Sequence, residues 1–575
     1  MSEKLSSEPP SYAVGETEIG QVEAVKVGAW QGIKDSFKPM KHIVIDTEGM
    51  TDMEKAAALS ASSPLSRRLK SRHLQMIAIG GSIGTGLFVG SGGSLSTGGP
   101  GAVVIAFILI GSMLFTTVHA LGELAVTFPV SGSFSTYSTR FLDPAWGFAM
   151  GWNYAIQWLV VFPLEIIAAS ITISYWDPEQ KYNPAIWVAI FWVVIVAINF
   201  FGVKGYGEAE FAFSIIKILA VIGFIIFGIV IAAGGGKQGY IGAKYWHDPG
   251  SFAAGFKGLC AVFVNAAFAF AGTELVGLAA AETANPRKAL PKATKQVFWR
   301  ITLFYIVSLT IIGCLVPSSD PALLNKKSSV DASASPFVIA IKNAGVKGLP
   351  SVMNVVILIA VLSVGNSSIY GCSRTLAGLA DQGQAPKILG YIDRSGRPLF
   401  GIILTSLFGL LCFLVATDKR KPVFNWMLAL SGLSSIFTWG SINLCHIRFR
   451  RGMTAQGRSL KELPFTSAVG VYGSWYGFGL NCLVLIANFW VAVWPVGGSP
   501  NVSDFFQQYL AAPVVMVSYV SYKIWKKTPF IRAKDMDLIT GRREVDLDLL
   551  TQELEEERAY IQSKNVVYRL YKFWC

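Results

Sequence analysis

Residues 76–92 read MIAIGGSIGTGLFVGSG, and how this stretch is understood decides the fold. It is too apolar and too long for a surface loop, yet glycine stands at 80, 81, 84, 86, 90 and 92. Each glycine in a helix interior costs about 1 kcal/mol relative to alanine, so one straight helix would not be built this way. The segment GTGLFVG (84–90) spaces its glycines as G-x-G-x-x-x-G. That is one residue longer than the dinucleotide fingerprint, and no βαβ pattern surrounds it. Close helix packing, which small residues permit, accounts for Gly90 and Gly92 but does not ask for GGSIGTG in a row. The cluster over 80–86 therefore predicts a local unwinding inside a hydrophobic segment.

The rest of the chain sets the context. Of 575 residues, 52% are hydrophobic and 15% charged, against about 25% charged in soluble domains. The apolar residues fall in runs of about twenty, the length that crosses a hydrocarbon core. The expected class is an all-α, polytopic membrane protein. Twelve runs are read, at about 74–96, 101–127, 145–175, 184–201, 209–233, 252–280, 299–316, 350–379, 400–416, 424–446, 474–494 and 504–524. The expected organisation is an N-terminal tail (1–72), a twelve-helix core (73–524) and a C-terminal tail (525–575), with an acidic amphipathic helix at 546–561. No apolar run precedes residue 72, so no cleavable signal peptide is expected.

The net charge of +13 does not point to nucleic acid, because the basic residues flank the hydrophobic runs. If the N-terminus is cytoplasmic, that side carries about twice as many Lys and Arg as the other, and both termini face the cytoplasm. Seven scattered cysteines without a CxxC pair read as small packing residues. With five histidines, no HExxH and no His-rich run, no metal site and no catalytic constellation is expected. No helix carries an arginine ladder and no carbonyl filter loop occurs, which argues against a voltage sensor or a potassium pore.

Unwound backbone at membrane depth is tolerated only where protein or a water-filled cavity satisfies its polar groups. A second interruption five helices later fits an inverted repeat, and NAAFAFAGTELVGLAAAE (265–282) supplies it at Gly272, Thr273 and Glu274. One break offers N–H groups to an anion. The other offers carbonyls and a carboxylate to a cation. A zwitterionic amino acid carries both groups on one carbon. Glu274 is read as an ionisable group in the substrate or proton path, the alternative being a carboxylate that ties two helices. Lys217 lies about 12 Å into the fifth run at 1.5 Å per residue, either snorkelling to the interface or carrying a proton. Glu123 is expected to hydrogen-bond at a helix end, Glu165 to be a gate or a structural partner. Asn366, Ser367 and Tyr370 either line the cavity or join helices.

Longer blocks carry a resemblance. RHLQMIAIGGSIGTGLFVGSG (72–92), FAFAGTELVGLAAAE (268–282), NPRKALPKA (285–293), the block 334–376, the block 423–450, TGRREVDLDLL (540–550) and the terminal FWC resemble the fungal amino-acid permeases of the amino acid–polyamine–organocation superfamily, general permeases in particular. The resemblance covers about 69–575. It implies twelve transmembrane helices in a five-plus-five inverted repeat (LeuT-like), with unwound first and sixth helices. It implies proton-coupled uptake of L-amino acids at the plasma membrane, reached through the endoplasmic reticulum and shared with endosomes. The substrate carboxylate would meet Ser82, Ile83, Gly84, Thr85 and Gly86. The amino group would meet backbone near Phe270, Ala271, Gly272 and Thr273, with Phe268 or Phe270 as an aromatic gate. Glu274 and Lys217 match positions that relatives use for proton coupling. Cys575 matches a palmitoylated end, and tail lysines such as Lys4 and Lys26 would accept ubiquitin from its ligase machinery. No cofactor is implied beyond the coupling proton; the partners are amino acids and membrane lipids. A narrower permease for basic amino acids or proline, or a non-transporting amino-acid sensor, is the alternative reading. The tail of about 70 residues is short for such a sensor.

Overall fold

The computed structural model describes residues 29–40, 49–81, 83–179, 181–324, 335–416, 420–542, 556 and 559–566. Ser82, Cys575, Lys4, Lys26 and most of the acidic 546–561 stretch lie outside them. Among the described residues the chain is helical, with isolated β-bridges and no strand.

Two short helices come first, α1 (Ala29–Ser36) and α2 (Asp52–Ala61). Then follow α3 (Ser71–Gly80), α4 (Ser91–Thr127), α5 (Phe134–Phe141), α6 (Pro144–Ile173), α7 (Pro184–Phe200) and α8 (Gly202–Val230). The middle of the chain forms α9 (Gly255–Phe270), α10 (Leu275–Ala279), α11 (Pro286–Trp299), α12 (Ser308–Leu315), α13 (Pro321–Leu324) and α14 (Pro336–Asn343). The last group is α15 (Leu349–Asp381), α16 (Leu399–Gly409), α17 (Arg420–Ala455), α18 (Gly470–Val493), α19 (Val502–Tyr509) and α20 (Ala511–Lys526).

Local sequence explains several of these starts. Asp143, Asn183 and Asn285 each precede a proline, and each side chain accepts a backbone N–H of the new helix, from Ala145 at 2.8 Å, Ala185 at 2.9 Å and Lys288 at 3.4 Å. The cap satisfies an orphan donor, and proline at the first helical position gives up an N–H that has no helical partner anyway. Gly99, at φ 82° and followed by Pro100, divides α4 into two helices, at the gap between the first two apolar runs read from the sequence.

Among the described residues seven helical stretches are long and apolar enough to cross a membrane, and two shorter apolar helices accompany them. The largest boundary difference from the sequence reading lies at the seventh run. The seventh run was expected to begin near 299, but its helix begins at Pro286 and passes through a π-helical stretch, Arg300–Val307, into α12. The polar first turns hid that start.

In the core α15 packs along α6 and α4 along α9, while α3 lies against α8 and α11. Outward, α8 exposes Leu219, Ile226 and Ile229, and α18 exposes Leu483 and Ile486. At one end of the bundle the two tails meet. Ser131 N–H donates to the Ser60 carbonyl at 3.0 Å, Ile531 N–H to that of Leu142 at 2.9 Å, and Arg140 to that of Thr540 at 2.7 Å. Glu123 serves structure: it accepts from Arg450 at 2.6 and 2.7 Å and from Ser467 N–H at 2.7 Å. On α15, Asn366 accepts from Asn199 at 2.9 Å, Ser367 meets Tyr206 at 3.2 Å and Tyr370 donates to Glu282 at 2.7 Å, so these residues join helices.

Candidate functional site

Helix α3 ends at Gly80. Gly81 N–H returns to the Ile77 carbonyl at 3.0 Å and Ile83 N–H to that of Gly80 at 3.1 Å; the helix resumes at Thr85 and continues through Gly86–Gly90 into α4. Gly80, Gly81, Gly84 and Gly86 all keep negative φ. Space, not conformational freedom, demands glycine here. A Cβ on Gly80 would overlap the Ser214 side chain, on Gly84 that of Val364, and on Gly86 the Cα of Ala269. On Gly90 it would meet nothing nearer than 3.7 Å. Close packing, which the sequence assigned to Gly90, therefore falls instead on Gly80, Gly84 and Gly86.

The second interruption works differently. Helix α9 ends at Phe270, Ala271 is extended (φ −55°, ψ 143°), and Gly272 sits at φ +93°, a region that side chains with a Cβ avoid. Thr273 donates its hydroxyl back to the Phe270 carbonyl at 2.6 Å, and α10 restarts at Leu275.

These two segments face each other across one cavity. Gly84, Thr85 and Gly86 line it from the first, Phe268 and Ala271 from the second, and Gln157, Trp158, Val161 and Glu165 from α6, with Val364 of α15. The space open to the centre of a water molecule is about 10 Å³, room for about one water. Inside it Thr85 donates its hydroxyl to Glu165. The Glu165 Oε1 and Gln157 Oε1 atoms are buried and accept no hydrogen bond.

Several expected residues gather here and others do not. Ile83 is buried beside the first break, outside the cavity lining. Of the two phenylalanines, Phe268 borders the cavity, whereas Phe270 packs tilted against Tyr305 with ring centroids 4.2 Å apart and against Phe107 at 5.6 Å. Glu274 is fully buried away from the lining. Its carboxylate accepts from Tyr154 at 3.0 Å, Trp439 at 3.1 Å and Gly272 N–H at 3.2 Å, so it braces the second break against α6 and α17. Lys217, midway along α8, does not snorkel: its side chain is 0% exposed. It donates to the Gly80 carbonyl at 2.5 Å and Ser363 at 2.8 Å, with Glu210 at 3.5 Å.

Sequence reasoning missed Glu210, Gln157 and Arg300. Glu210 and Lys217 stand seven residues apart, two helical turns on one face. Gln157, Val161 and Glu165 follow an i, i+4, i+8 spacing that predicts one shared face. A seventh run read from about 299 puts Arg300 at the membrane edge; from Pro286 it lies about 21 Å along the helix. Each signal was present.

With this geometry in view, comparison with known proteins identifies the family. Residues 73–534 match the family described as amino acid permease. The chain is 66% identical over 530 residues to general amino-acid permease GAP2 of Candida albicans (strain SC5314 / ATCC MYA-2876), covering 92% of this chain and 90% of that one. It is 58% identical over 582 residues to general amino-acid permease GAP1 of Saccharomyces cerevisiae (strain ATCC 204508 / S288c), covering 100% and 96%. Among solved structures, a manganese transporter of Eremococcus coleocola aligns over 86% of this chain and 97% of its own at 14% identity and a TM-score of 0.47. Two-thirds identity over nine-tenths of both sequences, together with the family match, leaves one conclusion: this chain belongs to the amino acid permease family.

Proposed function

We propose that this permease imports L-amino acids of broad side-chain range across the plasma membrane, driven by protons. The observation that carries the reading is that both helix interruptions border one cavity. The half-helix starting at Thr85 presents first-turn N–H groups, a site for a carboxylate. The end of α9 presents carbonyls, a site for an ammonium group. An α-amino acid carries that pair on one carbon. The relatives named general amino-acid permeases support a broad range.

The architecture we infer is twelve spans in a five-plus-five inverted repeat with the first and sixth interrupted and both tails in the cytoplasm. The Lys and Arg excess supports that orientation. Because the cavity holds about one water, substrate entry has to break the Thr85–Glu165 hydrogen bond and swing the Phe268 ring. Phe268 is the gate in this reading. Lys217, with Glu210 and Ser363, is the proton-coupling candidate on the Gly80 carbonyl, with Glu274 and Glu165 as carboxylates flanking the two breaks. Lipidation at Cys575 and ubiquitin attachment to tail lysines are carried by the family resemblance.

Uptake of a labelled amino acid by yeast cells lacking their own permeases tests this. A protonophore should abolish accumulation, and replacing sodium should leave it unchanged. Sodium dependence would overturn proton coupling. In a competition panel of twenty amino acids, inhibition confined to basic ones or to proline would overturn broad range.

A further inference from the structure

Arg300 is fully buried at the start of the π-helical Arg300–Val307 segment. One guanidinium nitrogen donates to the Ala78 carbonyl at 2.5 Å and the other to the Thr273 hydroxyl at 2.5 Å. Ala78 lies in the last turn of α3, before the first break, and Thr273 lies within the second. Thr273 passes the connection on, donating to the Phe270 carbonyl at 2.6 Å. Five residues further along, Tyr305 donates to the Ala269 carbonyl at 2.8 Å. One short stretch of helix therefore holds the end of α9, the second break and the end of α3.

We infer that Arg300 is a positioning residue for the substrate site, its planar fork setting the distance between the two helix breaks that border the cavity. The inference rests on the transport reading above. Two cations cap the C-terminal carbonyls of α3, where the helix dipole favours positive charge. Lys217 takes Gly80 and ties α3 to α8 and α15. Arg300 takes Ala78 and ties α3 to the break between α9 and α10. A lysine can give up its proton and release its carbonyl; a guanidinium stays charged and fixes two acceptors at once. The tie through Arg300 holds whatever the proton does at Lys217, so α3 and the second break move as one body.

The test is uptake kinetics at measured surface abundance for Arg300→Lys, Thr273→Val and the double variant. An ammonium group cannot reproduce the two-pronged contact. Each single variant should raise KM about tenfold, the scale of one hydrogen bond to a charged group, with maximal rate per surface molecule within about twofold. The double variant should be no worse than the worse single one. The ratio of variant to wild-type KM should stay constant from pH 4 to 7, since the guanidinium does not titrate there. Unchanged KM, KM effects that multiply, or a loss confined to surface abundance would overturn the inference. If Arg300→Lys fails to reach the membrane, binding of labelled amino acid to purified Thr273→Val decides, and wild-type affinity there overturns it as well. Absence of uptake by the wild-type chain is a different result: the transport reading itself fails, and the role of Arg300 with it.

Discussion

Lys217 and Glu210 form an ion pair with no exposure to solvent, joined by Ser363, which donates to Glu210 at 2.6 Å. Removing one member of a buried pair leaves the other uncompensated, at a cost of about 3–5 kcal/mol. Lys217→Ala alone should therefore lower the amount of folded protein as well as transport. Adding Glu210→Gln removes the stranded charge and should restore folded protein, measured by surface labelling and detergent size-exclusion. It should not restore accumulation against a concentration gradient when the external pH is lowered. A double variant that accumulates substrate normally with falling pH would make Lys217 structural. This pairing was readable in principle from EFAFSIIK, because residues two turns apart share a face. What the local sequence lacked was Gly80 and Ser363, which come from 137 and 146 residues away.

At the scale of elements, the two interruptions reach similar ends by different means. The first is a near-contact of backbones: Gly86 lies against Ala269 so tightly that a methyl group has no place. Gly86→Ala has to push the Thr85 half-helix away from α9, an overpacking of about 1–3 kcal/mol. Expressed as substrate affinity, that is a rise in KM of roughly 5- to 150-fold. Gly90→Ala, four residues on, makes only an ordinary contact, with the Thr85 carbonyl at 3.7 Å, and should keep KM within about twofold while gaining helix propensity. Equal effects of the two substitutions would refute the packing account. The presence of a break was legible in GGSIGTG, since no helix gathers glycines without reason. Its cause was not, because the neighbours that exclude a Cβ are Ser214, Val364 and Ala269, each far along the chain.

Across the whole molecule, the tails are part of the folded body at one end of the bundle. Asp537 anchors the segment after α20. Burial alone would raise its carboxyl pKa, but Arg140 at 3.7 Å and the N–H groups of Thr540 at 2.9 Å and Ile539 at 3.0 Å outweigh that and hold it below the ordinary carboxyl value of 3.8. A carboxyl whose folded pKa is depressed stabilises fully above its unfolded pKa and loses that contribution as pH falls through the folded value. Asp537→Asn should thus lower the thermal midpoint by about 1–2 °C at pH 7. The difference from wild type should stay constant from pH 5 to 8 and shrink progressively as the pH falls below 3.8. A difference that does not shrink on acidification below 3.8 would mean the anchor is not electrostatic.

Sequence alone determined that this chain is a bundle of membrane-length helices and that it belongs with amino-acid permeases, and it pointed to the two glycine-rich stretches as the places to look for the site. Those properties reside in runs of about twenty apolar residues, in local clusters of glycine, and in motif blocks. Only the tertiary structure decided that Glu165 rather than Glu274 meets the cavity, that Phe268 rather than Phe270 borders it, and that Arg300 bridges the two breaks. Hydropathy and periodicity report which face of a helix is buried. They do not report which distant helix that face meets, and the contacts that bring both breaks and α6 around one cavity join residues far apart in the chain.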